Sequence, residues 1–343
     1  MAVLGEHLWS LVGRSLAAAE RHRIAPLLHR HQPEAAAETD RLAFTAAHRR
    51  TVAANLRFFS VCREVLGAFR SASIPVIPLK GVLFALRYYG EIGVRPQSDV
   101  DLLVHRADLS PAHEQLLRLG FDEAWPRAYY ADHYHWVYRR GDVLLELHWA
   151  LKAPGTCTPD LDRIWSEASW RVAEGLKFLE MTPGDLLAYL AVNKAHQRFP
   201  ALIDFVDLAR IVEHAPPAWD RLVERALHDG TAAPLWFGLC GIKELLGASV
   251  PEGVLNALAA PAYVRPARWL KRALDAIGGP LQVPPRYQAG PIGRLYESCL
   301  EGRPSAIFHL LRPLVFPSKA RVELLAQGSY ARYYVHALQR LVG

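Results

Sequence analysis

The chain has 343 residues, 51% of them hydrophobic and 22% charged, so it can bury a sizeable core and is not disordered as a whole. A formal charge of +6 and a pI of about 9.2 suit a polyphosphate substrate but fall short of the concentrated basic signature of a nucleic-acid binder. The four cysteines (Cys62, Cys157, Cys240 and Cys299) form no CxxC pair, which removes a structural zinc site and a disulfide framework and fits a reducing, cytoplasmic setting.

The first stretch, MAVLGEHLWSLVGRSLAAAE, is apolar but lacks a basic start and is interrupted by Glu6, His7 and Arg14. It reads as an amphipathic helix rather than a signal peptide. Residues 1–70 as a whole read as helices, with Leu56, Phe59, Val65 or Leu66, and Phe69 on the apolar face of the last one. SIPVIPLK (73–80) changes to a short β-branched run, a strand only if it lies at an edge or has Pro75 and Pro78 at its ends. GVLFALRYYG (81–90) returns to a helical pattern ending at Gly90. After the loop EIGVRPQS comes the strand DVDLLV (99–104), then a helix expected to start at Ser110-Pro111 and end near Gly120. HYHWVYRRGDVLLELHWAL (133–151) reads as a hairpin turning at Gly141-Asp142. Everything beyond about residue 155 reads as helical, beginning with a helix capped by Thr182, with Pro183 at its first position and Asp185 in its first turn. The most apolar window, 231–250, is broken by Lys243 and Glu244, short of the roughly 18 apolar residues of a membrane span. Three regions result: N-terminal helices at 1–70, a small α/β unit at 71–180, and a helical part at 181–343.

The strand DVDLLV holds the chemistry. Side chains alternate along a strand, so Asp99, Asp101 and Leu103 share one face while Val100, Leu102 and Val104 share the other. Two carboxylates that close repel each other, and a hard divalent cation such as Mg²⁺ removes the conflict. In VLLELHW, Glu146 and His148 share a face in the same way, and Glu146 supplies a third carboxylate. Such a trio can hold Mg²⁺ and leave positions open for phosphate oxygens. Lys80-Gly81 sits where a strand enters a helix, a place suited to phosphate, and Lys80 and Arg95 can add positive charge. His148 reads as a hairpin histidine that can reach substrate. Asn193, Lys194 and His196 read as a solvated helix face. Asp204 and Asp207 read as structural, in reach of Arg198 or Arg210, and Tyr330, Tyr333 and Tyr334 as packed between helices.

Gly81 at a strand-to-helix turn, Asp99-Val100-Asp101, and Glu146 on a later strand resemble the nucleotidyltransferase superfamily that includes DNA polymerase beta and the antibiotic nucleotidyltransferases. PLKGVLFALRYYGEIGVRPQSDVDLLV, followed by LELHW (145–149), is similar to a largely uncharacterised bacterial nucleotidyltransferase family with an LKG…DxD…ELHW pattern. Pro317-Ser318 and the late Tyr-rich stretch extend the similarity, although the specific motifs lie within 78–149. The resemblance implies an α+β fold, in which a small mixed-sheet domain is flanked by N-terminal helices and a helical C-terminal domain. It implies Asp99, Asp101 and Glu146 as catalytic and metal-binding residues, and Lys80, Gly81, Arg95, Ser98 and His148 around an NTP such as ATP. One departure stands out. The superfamily's turn is usually Gly-Gly or Gly-Ser, whereas Gly81 lies between Lys80 and Val82, and its distance to Asp99 is longer than usual. The turn lacks a hydroxyl, and Lys80 and Ser98 are the residues that could replace it.

The function expected from these residues is Mg²⁺-dependent transfer of a nucleoside monophosphate from an NTP to an acceptor hydroxyl, with a small molecule, sugar or peptide of a biosynthetic route as acceptor. Two other functions fit the same residues. One is a non-catalytic binding module that retains the fold and recognises a partner protein; the other is a toxin-like enzyme that modifies tRNA or a protein.

Overall fold

A computed structural model describes residues 2–13, 15–31, 38–130, 133–153, 155–282, 290–302, 316 and 319–335. Pro317-Ser318 lie outside the described residues. The N-terminal part is helical, comprising α1 (Ala2–Val12), α2 (Leu16–Arg21), α3 (Ala25–Leu28) and the 34-residue α4 (Glu38–Ser71). At 1.5 Å per residue α4 is about 50 Å long, long enough to serve two cores. Its Phe44 and Ala47 pack among the other helices, and its Phe58, Val61, Cys62, Val65, Leu66 and Phe69 pack under the sheet. The buried stripe runs through Phe58 rather than Leu56, which is exposed.

The sheet has five strands in the order β1 (Ile77–Pro78), β2 (Asp99–Leu103), β5 (Val143–His148), β4 (His135–Arg140), β3 (Asp122–Glu123). The pair β2–β5 is parallel and the others antiparallel, so the sheet is mixed and the fold α+β. Between β1 and β2, α5 (Val82–Phe84) passes into a π-helical turn at Ala85–Tyr89 that Gly90 closes at φ +71°. The helix α6 (Leu109–Arg118) starts at Leu109, ahead of the expected Ser110-Pro111, because a 3₁₀ turn at Arg106–Asp108 leads directly into it. One face of the sheet, with Val100, Leu102, Leu145 and Leu147, packs on α4 and α6. The opposite face carries the aspartates.

The expectation that everything after residue 155 is helical fails at one place. After α7 (Leu161–Glu167), β6 (Ser169–Ala173) and β7 (Leu176–Glu180) form a hairpin. Its two-residue turn has Glu174 at φ +51° and Gly175 at φ +75°, the left-handed pair that a tight hairpin requires. The Leu179 N–H donates to the Val76 carbonyl, so the hairpin lies along the free edge of β1. The chain then continues as α8 (Pro183–His196), α9 (Leu202–His214), α10 (Trp219–Asp229), α11 (Ala232–Leu246), α12 (Glu252–Ala259) and α13 (Arg265–Asp275), followed by helices at Gly290–Glu301 and Lys319–Ala326. Thr182 caps α8 by accepting from the Asp185 N–H, as its sequence predicts. The helices α8, α9 and α11 share one core with the N-terminal helices and with Ile77 and Leu103 of the sheet, which closes the helical part over the aspartate face. Among the described residues, no helix is long and apolar enough to cross a membrane.

Candidate active site

The parallel pairing of β2 and β5 sets Asp101 opposite Glu146, and Leu103 opposite His148. Since paired residues project to the same side, Asp99, Asp101, Glu146 and His148 lie on one face. Carboxylate oxygens of Asp99, Asp101 and Glu146 come within 4.8 Å of one another. Asp101 is 2% exposed, while Asp99 and Glu146 are half-buried.

Lys80 and His148 sit among the three acids. Lys80 Nζ lies 3.2 Å from Asp101 Oδ2 and 3.7 Å from Asp99 Oδ2. His148 Nε2 lies 3.3 Å from Asp101 Oδ1 and 3.2 Å from Glu146 Oε2. Burial pushes the Asp101 carboxyl up, but the Lys80 charge and the His148 hydrogen bond outweigh it and hold the group well below the usual carboxylate range. Asp99 moves the other way, raised by burial and then by the charge of Asp101. Burial lowers His148, yet its hydrogen bonds to Asp101 and Glu146 prevail and raise it, which favours the imidazolium. Lys80 is likewise raised, because Asp101, Asp99 and Glu146 overcome its burial. Asp101 Oδ2 is buried, with the Lys80 ammonium as the group against it.

Gly81 precedes α5 at φ +87°, ψ −147°, a backbone region open essentially to glycine. A Cβ there would come 3.0 Å from Gln97 Oε1 and 3.8 Å from the Asp99 carbonyl oxygen, so the turn lies against the start of β2. Ser98 is exposed at that start. Arg95 faces elsewhere. Its guanidinium donates twice to Asp207, from Nε to Oδ1 and from Nη2 to Oδ2, both at 2.7 Å, and the Tyr89 hydroxyl donates to the same carboxylate. Asp207 therefore pairs with Arg95 rather than with Arg198 or Arg210. Asp204 pairs with Lys194 at 2.7 Å. Lys194 is thus 4% exposed and not on a solvated face, because α8 and α9 pack together and bring the two charges into one interior. Tyr333 is buried as expected, whereas Tyr330 and Tyr334 are exposed.

Three residues at the site went unread in the sequence. Tyr134, just before β4, is pushed up to about 12 by burial and then by Glu146. Tyr189 on α8 is pushed well above its ordinary value by burial and then by Asp101, and the Tyr134 ring lies 5.8 Å from the His148 ring, centroid to centroid. Gln97 has both side-chain amide atoms buried and without partners beside Gly81. Beside Lys80 a cavity of about 210 Å³ runs between the π-helical turn and β7, with Phe84, Arg87, Tyr88, Phe178 and Glu180 among its walls.

Two solved structures are similar to the chain. The antibiotic-resistance factor ANT(2'')-Ia, in its solution structure, is 14% identical over 53% of this chain and 96% of its own, with a TM-score of 0.39. An antigenic nucleotidyltransferase-like protein from Paracoccidioides brasiliensis is 16% identical over 61% of this chain and 95% of its own, with a TM-score of 0.33. No curated protein matches the sequence significantly. The profile described as uncharacterised nucleotidyltransferase matches residues 12–247, a span that includes Lys80, Gly81, Asp99, Asp101, Glu146 and His148, and the chain belongs to that nucleotidyltransferase family.

Proposed function

We propose that the protein is a metal-dependent enzyme that moves a nucleoside monophosphate from an NTP, such as ATP, to an acceptor hydroxyl in the cytoplasm. The convergence of Asp99, Asp101 and Glu146 on one face carries this reading. The donor set consists of carboxylate oxygens, the preference of hard cations such as Mg²⁺. Asp101 Oδ2 is buried against the Lys80 ammonium at 3.2 Å, so the position a metal ion would take is one where positive charge already compensates the carboxylate. The residues present therefore fit such an ion, with Asp99, Asp101 and Glu146 to hold it. When bound, it would supply charge neutralisation and polarisation of the α-phosphate.

The chain's own groups do the rest. Lys80, released from the aspartates once a cation compensates them, can turn its ammonium to phosphate oxygens. Glu146 can accept the proton of the acceptor hydroxyl as its oxygen attacks the α-phosphorus and the bond to the β-phosphate oxygen breaks, releasing pyrophosphate. With no cation on its ring, His148 can hold Asp101 and Glu146 in their mutual geometry. Tyr134, whose ring lies 5.8 Å from that of His148, flanks the carboxylates on the β4 side. Most of the catalysis in such a site is positioning and electrostatics. The absence of a hydroxyl at Lys80-Gly81-Val82 favours a second reading, a binding module that uses the same pocket without turnover.

Incubating the protein with Mg²⁺, each α-labelled NTP in turn, and an extract of the source cell separates the two. Transfer of label to a small molecule, sugar, peptide, protein or RNA supports the enzyme and names its acceptor class. Failure of transfer with all four nucleotides refutes it.

A further inference from the structure

The antiparallel register of β4 and β5 places His135 directly opposite His148, one pleat along from Glu146. The two imidazole rings lie 4.9 Å apart, centroid to centroid, tilted by 36°. A nitrogen from each, together with a Glu146 oxygen, falls within a 4.8 Å span. His148 is 4% exposed. The Nδ1 atoms of both histidines are buried and have no hydrogen-bond partner. Buried polar atoms are paired in the great majority of cases, so two unpaired ring nitrogens on facing residues call for an explanation.

We propose that His135, Glu146 and His148 form a second cation site, selective for a borderline divalent transition ion of the Zn²⁺ and Co²⁺ class, next to the carboxylate cluster and sharing Glu146 with it. The chemistry of the donors separates the two sites. Three carboxylates favour Mg²⁺, whereas two imidazoles and a carboxylate favour ions of intermediate softness. All three residues stand on paired strands, which fix ligand directions better than loops do. The alternative, His148 as an imidazolium tethering Asp101 and Glu146, accounts for its Nε2 contacts but leaves His135 Nδ1 unexplained. The histidine site can exist whether or not transfer chemistry occurs at Asp99 and Asp101.

The test uses the full chain, stripped with a chelator and titrated with Co²⁺ in excess Mg²⁺, with binding followed by visible absorption and ligand type by X-ray absorption. Wild type is expected to bind one Co²⁺ with imidazole ligation. His135→Gln, at a half-buried position that tolerates the change, is expected to weaken binding by more than the ~10–100-fold typical of losing a supporting contact. His148→Gln, checked for folding by circular dichroism, is expected to do the same. Asp99→Asn is expected to keep the imidazole signature while losing the response to Mg²⁺ and NTP, which separates failure of this site from failure of the proposed function. Co²⁺ bound equally tightly by His135→Gln, or Co²⁺ without nitrogen ligands in wild type, overturns the proposal.

Discussion

Replacing Arg95 with methionine tests what this arginine does. In the folded chain it makes two 2.7 Å hydrogen bonds to Asp207, and the pair is closed off from solvent, with side-chain exposures of 6% and 0%. Burial alone pushes the Asp207 carboxyl up, but the Arg95 charge and hydrogen bonds hold it below the usual carboxylate range. Removing one partner of such a pair leaves a buried charge uncompensated and costs about 3–5 kcal/mol. At roughly 2 °C per kcal/mol for a chain of this size, Tm falls by roughly 6–10 °C. The double variant Arg95→Met with Asp207→Leu recovers most of that loss, because the stranded charge is gone. Thermal and urea unfolding at pH 7 read the stabilities, and NTP titration well below Tm reads binding. The sign in pH follows from the depressed carboxyl. The stability contributed by Asp207 is present above the unfolded value of about 3.9 and lost as pH falls through the folded one, so the cost of Arg95→Met shrinks in acid. A loss under about 1 kcal/mol, or a drop in NTP affinity at temperatures where the variant is fully folded, would refute this reasoning and make Arg95 a nucleotide contact.

Other outcomes follow from the same geometry. Wild type gains thermal stability on adding Mg²⁺ and NTP, and Asp99→Asn with Asp101→Asn abolishes the gain; a normal response in the double variant would place the nucleotide elsewhere. Gly81→Ala forces a Cβ into a left-handed backbone beside Gln97, costing about 1–3 kcal/mol and weakening NTP binding; unchanged stability would contradict the strained turn. Lys152 is buried with Nζ unpaired, and burial brings it down to about 8, against the pull of Glu301 and Glu297. Between that value and its ordinary 10.5 only the unfolded chain keeps the proton, so stability rises with pH there. Lys152→Met is therefore expected to raise stability at pH 7 by at most about 3 kcal/mol, with the gain vanishing above about pH 10; a destabilised variant at pH 7 would contradict this.

The local features were legible because local chemistry sets them. Alternation in DVDLLV and VLLELHW gave the two faces of β2 and β5, Gly141-Asp142 gave the hairpin, and Thr182-Pro183 gave the start of α8. The β6–β7 hairpin escapes a sequence reading although Glu174-Gly175 is a turn signal, because it is a short pair between helices whose Trp170 and Val172 alternate outward while Leu176 and Phe178 of β7 face the core. The pairing partners of Arg95 and Lys194 could not be read, since Asp207 lies 112 residues from Arg95 and only packing of α9 against the π-helical turn joins them. The same holds for Tyr189, whose burial on α8 follows from the packing of that helix in the shared core rather than from local sequence. The position of Lys80 before Gly81 suggests a phosphate contact in sequence, and the fold adds its place over Asp99 and Asp101.

Glu146→Gln separates binding from chemistry most directly. Under the proposed function Asp99 and Asp101 would still hold the metal-bound nucleotide, while the group assigned to the acceptor proton is neutralised in place. The account predicts NTP affinity close to wild type, measured calorimetrically in Mg²⁺, with pyrophosphate release in the presence of acceptor extract reduced by about 10²–10⁴-fold. Turnover at the wild-type rate would contradict the role of Glu146 and, with it, the three-carboxylate site.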